Sequence, residues 1–188
     1  MARANEPRTI ARSLLVLGGA RSGKSAYAQR LAEAHGPERL YLATAARGDE
    51  EMAARIARHQ ADRGQGWTTL EEPLEIATAL LTHAQAGRVV VVDCLTLWLS
   101  NLMLAGRDPG SALTALADAM GWLTGPAILV SNEVGMGIVP DHKLGREFRD
   151  WQGRANREIG AACDGVIFIA AGLPLQLKPA ATPSVQLG

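Results

Sequence analysis

Residues 14–25 read LLVLGGARSGKS, and this stretch decides how the chain folds. Within it, Gly18, Gly19, Ala20, Arg21, Ser22, Gly23, Lys24 and Ser25 fit the pattern G-x-x-x-x-G-K-[ST] of a phosphate-binding P-loop. Each position has a physical task. The glycines let backbone amides turn inward around phosphate oxygens. Lys24 supplies a point charge for the β and γ phosphates, and the Ser25 hydroxyl is a ligand for Mg²⁺. An apolar run at 14–17 precedes the loop, as a buried parallel strand does, and residues 25–34 read as a helix. The N-terminus of that helix points its partial positive charge at the same anion.

Working outward, the 188 residues suit one domain with a buried core. Apolar residues make up 47% and charged residues 20%, so the chain is globular and not disordered. Nineteen basic side chains balance nineteen acidic ones, which argues against nucleic-acid binding through a broad basic face. Cys94 and Cys163 belong to no close Cys/His cluster, so they are expected as small buried residues in a reducing compartment. No apolar run approaches the length of a membrane span. Arg3, Arg8 and Arg12 are not followed by the apolar core of a signal peptide, and the cytoplasm is the expected location.

Strand and helix patterns alternate along the rest of the chain. Strands are expected at 40–44, 67–70, 89–93, 127–131 and 165–170. Helices are expected at 50–63, 74–86, 95–104, 111–123 with Ser111 as N-cap, and 141–162. On the last of these, Leu144, Phe148, Trp151, Ala155 and Ile159 share one face. Residues 132–140, NEVGMGIVP, are too glycine-rich for a regular element and read as a loop. From Pro174 the chain turns proline-rich and is expected to fray. The expected organisation is a loose arm over 1–12, one catalytic domain over 13–178 and a frayed tail over 179–188. The fold class is α/β with a mostly parallel sheet, and ligands in such sheets sit at the carboxyl ends of strands. Gly18, Thr44, Asp93 and Asn132 fall there.

Asp93 ends an apolar strand and so places a carboxylate where a P-loop protein holds Mg²⁺. His59 lies at helical spacing from Met52 and Ile56, with Arg55 and Arg63 four residues to either side. Two flanking cations suit an anionic ligand, and a neutral imidazole beside a nucleotide can attack phosphorus; a satisfied core histidine is the alternative. His35 and His83 read as helix-end or surface residues, and His142 as solvated. Glu71 or Glu72 follows a strand and could hold a ribose hydroxyl or a base, or be a surface charge. Glu133 either faces substrate or is a solvated loop carboxylate.

The segments GGARSGKS at 18–25, EMAARIARH at 51–59, SNEVGMGIVP at 131–140 and FRDWQGRANREI at 148–159 together resemble one enzyme family. It is the bifunctional adenosylcobinamide kinase / adenosylcobinamide-phosphate guanylyltransferase of cobalamin biosynthesis. The resemblance runs from about residue 14 to residue 177, and the loop at 132–140 with the R-I-x-x-H helix is its specific part. It implies a RecA-like P-loop fold and a homo-oligomer, with a trimer known in the family. It implies two reactions. A nucleoside triphosphate, ATP or GTP, phosphorylates the aminopropanol hydroxyl of adenosylcobinamide. GMP then passes from GTP to a histidine and on to the cobinamide phosphate, giving adenosylcobinamide-GDP. By matching motifs the resemblance makes His59 the guanylylated residue and the P-loop, with Lys24, the triphosphate site. It adds Thr44, Ala45, Ala46, Gln60, Ala61, Asp62, Arg63, Glu71 and Asp93 as nucleotide contacts, with Ser25 and Asp93 on Mg²⁺. Some members carry Glu where this chain has Asp93, and either carboxylate serves a magnesium ion.

Two other functions fit a P-loop α/β chain. A plain small-molecule kinase would form no covalent guanylylated intermediate. A regulatory nucleotide-binding module would bind GTP and transfer nothing to a corrinoid.

Overall fold

The computed structural model of the chain describes residues 11–45 and 66–179. Residues 1–10 of the expected arm, the helix expected at 50–63 and residues 180–188 of the expected tail lie outside the described residues. The first strand, β1 (Ser13–Gly18), leads through the P-loop into α1 (Lys24–His35). Then come β2 (Glu38–Ala43), β3 (Trp67–Glu71), α2 (Ile76–His83), β4 (Arg88–Asp93), α3 (Leu95–Leu104) and α4 (Pro109–Met120). The chain continues with β5 (Ala127–Asn132), α5 (Lys143–Ala162), β6 (Gly165–Ala170) and β7 (Leu173–Lys178). The strands form a seven-stranded sheet in the order β3-β2-β4-β5-β1-β6-β7. All neighbours are parallel except β6 and β7.

Alternation along the strands divides the core between the two faces of the sheet. Leu15, Leu42, Val90, Val92 and Leu129 pack on one face against Ile76, Leu80, Leu95, Trp98, Leu113, Leu116 and Ile159 of α2, α3, α4 and α5. Val16, Tyr41, Val89, Val91 and Val130 point to the other face, where Ala28 and Ala32 of α1 lie against them. Val89, Val90, Val91 and Val92 are all buried, the pattern of an interior parallel strand covered on both sides. Trp98 is 1% exposed and donates its indole N–H to the Leu74 carbonyl at 2.7 Å, so its one polar atom is satisfied.

Several helix boundaries differ from the sequence expectation. α2 begins at Ile76 with no side-chain cap, and the turn before it is held by the Glu72 carboxylate, which accepts from Leu74 N and Glu75 N. Glu72 therefore works at a helix start. The N-cap of α4 is Asp108, not Ser111: its carboxylate accepts from Gly110 N and Ser111 N, with Pro109 in the first turn. The Ser111 hydroxyl, with the two amides, holds the Asp108 carboxyl below the usual carboxylate range. His142 is not merely solvated; it caps α5, its Nδ1 accepting from Gly145 N at 2.9 Å. Along α5 Leu144 is exposed, and the buried stripe is Gln152, Ala155, Asn156 and Ile159.

The chain does not fray from Pro174. β7 pairs with β6 through Lys178, whose ammonium donates to the carbonyls of Gly160, Ala161 and Cys163. A cation at the carbonyl end of α5 meets the negative end of the helix dipole, which anchors the strand although Leu173, Leu175 and Leu177 remain exposed.

Candidate functional site

The P-loop has the backbone its glycines predict. Gly18 (φ 155°) passes so close to the Ile169 carbonyl and the Ser22 hydroxyl that a Cβ would not fit. Gly23 is left-handed at φ 99° and directs the chain into α1, bringing Lys24 and Ser25 into the first turn. Lys24 is buried, and its Nζ donates to the Gly19 carbonyl at 2.6 Å, which folds the ammonium back over the loop. Ser22 Oγ is buried with no hydrogen-bond partner among the described residues. A buried hydroxyl inside the loop suits a phosphate oxygen. The turn between β6 and β7 braces the loop from outside, Gly172 N donating to the Ser22 carbonyl at 3.0 Å.

Strand order places the remaining residues. β5 lies between β1 and β4, with Gly18 in register with Asn132 and Asp93 with Val130. The carboxyl ends of β1 and β4 are thus two strand spacings apart, about 10 Å. The Asp93 side chain and an ion can span this gap toward Ser25. Tyr41 donates its hydroxyl to Asp93 Oδ2 at 2.6 Å and fixes the carboxylate's direction. A hydroxyl and a carboxylate are hard oxygen donors that fit Mg²⁺ held mostly by nucleotide phosphates. Among the described residues no three His, Cys, Asp or Glu gather as a metal cluster.

Thr44 is fully buried and is a scaffold clamp. Its hydroxyl donates to Cys94 O and accepts from Cys94 N, both at 2.8 Å, and its own N–H donates to the Asp93 carbonyl. Its carbonyl accepts from Asn101 Nδ2 at 2.7 Å. These bonds pin the end of β2, with Ala45, beside the end of β4. Glu71 is exposed at the carboxyl end of β3, in register with Ala43. Ala46, His59, Gln60, Ala61, Asp62 and Arg63 lie outside the described residues. Burial, with the Asp93 charge, pushes the Cys94 thiol up to about 11, so it is no nucleophile near neutral pH.

Sequence reasoning missed a polar set beneath this edge. Gln152 Nε2 donates to Ser131 Oγ and Asn156 Oδ1, and Ser131 Oγ donates to Asn156 Oδ1 at 2.7 Å. Asn156 Nδ2 donates to the Asn132 carbonyl at 3.0 Å. Thr96 Oγ1 accepts from Asn132 N and Nδ2. The available signal was Gln152 and Asn156, four residues apart between the apolar positions of α5.

The family described as cobinamide kinase / cobinamide phosphate guanyltransferase matches residues 14–177. The bifunctional adenosylcobalamin biosynthesis protein CobP of Pseudomonas aeruginosa is 50% identical over 167 residues, spanning 87% of this chain and 96% of that protein. The bifunctional adenosylcobalamin biosynthesis protein CobU of Escherichia coli is 34% identical over 180 residues, 88% of this chain and 99% of its own length. Among solved structures, a prototypical ATPase from the type III secretion system of pathogenic bacteria superposes with a TM-score of 0.54 at 12% identity. That match covers 88% of this chain and 56% of the ATPase, and it carries the fold alone. The expected P-loop NTPase architecture is borne out.

Proposed function

Because this chain belongs to the cobinamide kinase / cobinamide phosphate guanyltransferase family, we propose that it performs both reactions and that the second passes through a guanylylated histidine, His59. In the first reaction ATP or GTP phosphorylates the aminopropanol hydroxyl of adenosylcobinamide. In the second, an imidazole nitrogen attacks the α-phosphorus of GTP, the bond to the β-phosphate oxygen breaks, and pyrophosphate leaves. The phosphate of the corrinoid then takes GMP from the histidine, giving adenosylcobinamide-GDP.

The observation that carries this reading is the phosphate cradle at the sheet's carboxyl edge, with Lys24 folded over it. Lys24 and the inward amides offset charge on the triphosphate in both steps. Mg²⁺, when bound, neutralises further phosphate charge, and Ser25 and Asp93 would hold it. Thr44 and Ala45 deliver the chain from this edge into the segment that carries Ala46, His59, Gln60, Ala61, Asp62 and Arg63, the proposed remainder of the nucleotide site. Glu71 stands on the same edge.

The other histidines are poorly placed for attack on phosphorus. His35 ends α1, about 16 Å along the helix from the loop. His83 ends α2, just before β4 starts, on the opposite edge of the sheet. The Nδ1 of His142 is occupied as the cap of α5. The loop at 132–140 exposes Met136, Ile138 and Val139, an apolar surface beside the cradle that suits one side of a corrinoid. The reading also takes the protein as a cytoplasmic homo-oligomer, a trimer by family resemblance, acting on small molecules and not on nucleic acid. No helix among the described residues is long and apolar enough to cross a membrane.

The test is incubation with GTP labelled at the α phosphate, followed by denaturing electrophoresis. Acid-labile, alkali-stable label on the protein is the expected result. Phosphorylation of cobinamide with no label on the protein would replace this reading with a plain kinase. GTP binding with no transfer would leave a regulatory module.

A further inference from the structure

Glu133 is the first residue beyond β5, and its backbone N–H donates to the Gly18 carbonyl at 3.0 Å. Its backbone is therefore tethered to the first residue of the phosphate loop, just past the end of the strand that separates the loop from Asp93. Two further groups set its direction. Gly135 N donates to Glu133 Oε1 at 2.6 Å, and Asn156 Nδ2 approaches Oε2 at 3.5 Å. A Cβ on Gly135 would lie 2.9 Å from Oε1, so the glycine leaves room for the carboxylate. Asn156 also holds the Asn132 carbonyl, and it is itself held by Ser131 and by the fully buried Gln152. Gln152 Oε1 has no partner among the described residues. Burying this polar set is costly, and apolar side chains would pack α5 onto β5 without that cost. What the set does accomplish is to fix the Asn132 carbonyl and to orient the side chain of Glu133, whose backbone adjoins the phosphate loop.

The geometry points to Glu133 as the base that takes the proton of the acceptor hydroxyl in phosphoryl transfer, with Asn156 as its positioning residue. The inference rests on the phosphoryl-transfer half of the proposed function. In the step, the acceptor O–H bond breaks and its proton goes to a Glu133 carboxylate oxygen. A bond forms from the acceptor oxygen to the γ-phosphorus. The bond from that phosphorus to the bridging oxygen breaks, and its electron pair leaves on the nucleoside diphosphate. Glu133 is half-buried and returns the proton to solvent.

The experiment measures cobinamide phosphorylation, with melting temperatures recorded alongside, for Glu133→Gln, Asn156→Ala and the double variant. Glu133→Gln keeps the shape and an acceptor for Gly135 N and loses the base. It should lower kcat by about 10²-fold or more and move KM for the triphosphate by less than about 3-fold. Asn156→Ala should lower kcat by about 10-fold in the wild-type background and by almost nothing in the Glu133→Gln background, because it acts through the carboxylate. Asn156→Ser serves in its place if the alanine variant does not fold. Glu133→Gln with an unchanged kcat would overturn the assignment. So would an Asn156 effect of equal size in both backgrounds, which marks a structural role. Absence of phosphorylation by the wild-type chain would overturn both this inference and the function on which it rests.

Discussion

Replacing Lys24 by Met separates the lysine's role in catalysis from its role in the fold. The side chain is 6% exposed, and its ammonium donates to the Gly19 carbonyl at 2.6 Å. Methionine keeps the unbranched apolar stem and removes the charge. Two opposing effects then act on stability. The Gly19 carbonyl loses a charge-assisted hydrogen bond, worth roughly 1.5–3 kcal/mol. The cost of burying an ammonium, several kcal/mol before compensation, disappears. The net change should stay within about 1 kcal/mol in either direction, a shift of roughly 2–4 °C for a chain of this size. On the catalytic side nothing cancels. Both proposed steps develop charge on phosphate oxygens beside Lys24, and removing one such stabiliser costs roughly 10²–10³ in rate, about 2.7–4 kcal/mol. The assay follows phosphorylated cobinamide and GMP label on the protein, next to a thermal melt. A folded variant with both activities down by two orders of magnitude is expected. Phosphoryl transfer within 10-fold of wild type would refute the reasoning. A melting temperature lowered by more than about 8 °C would show that the lysine supports the fold itself.

Three other outcomes are expected. His59→Ala should abolish GMP labelling while phosphorylated cobinamide still forms, since no covalent histidine enters that step; label retained on the variant would rule His59 out. Asp164 feels burial, which raises its pKa, but hydrogen bonds from Ser13 N, Arg12 N and Ser13 Oγ and the Lys178 charge prevail and leave it lowered. A depressed carboxylate stabilises above its unfolded pKa of about 3.9, so Asp164→Asn should lower the melting temperature at neutral pH, and the gap should close as the pH falls through the folded pKa; a gap independent of pH would contradict this. Gly125→Ala would drive a Cβ into the backbone carbonyl of Gln85 and should cost about 3 kcal/mol in denaturant titration, whereas Gly153→Ala, with open space around the site on α5, should gain roughly 0.5–1 kcal/mol; equal effects would contradict the packing seen at the two sites.

The legible parts of this protein share a local cause. The G-x-x-x-x-G-K-S stretch carries its own backbone requirement, and Gly18 and Gly23 take the special conformations it demands. The valine run at 89–92 could only be an interior strand, and it is. Alternation of such runs with helix-period segments was enough for an α/β class, and strand ends then named Gly18, Asp93 and Asn132 as neighbours on one edge. Caps were less legible. Asp108 and His142 accept from the amides of Gly110 and Ser111 and of Gly145, which are left unpaired only once the chain has turned into each helix.

The sequence by itself determined the phosphate chemistry, the strand–helix alternation and the family, because each is written in contiguous residues or in periods of two and 3.6. The tertiary structure decided which distant residues stand beside the phosphate loop. Only the strand order, with β5 between β1 and β4, sets Asp93 two strands from the loop and Glu133 against Gly18. Only the β6–β7 pairing turns a proline-rich ending into a strand whose turn braces Ser22. Only the packing of α5 on β5 joins Gln152 and Asn156 to Ser131 and the Asn132 carbonyl. These contacts link residues up to about 150 positions apart, and no local period encodes them. They come into being when the sheet assembles, because unpaired strand amides and buried side-chain dipoles must find partners across it.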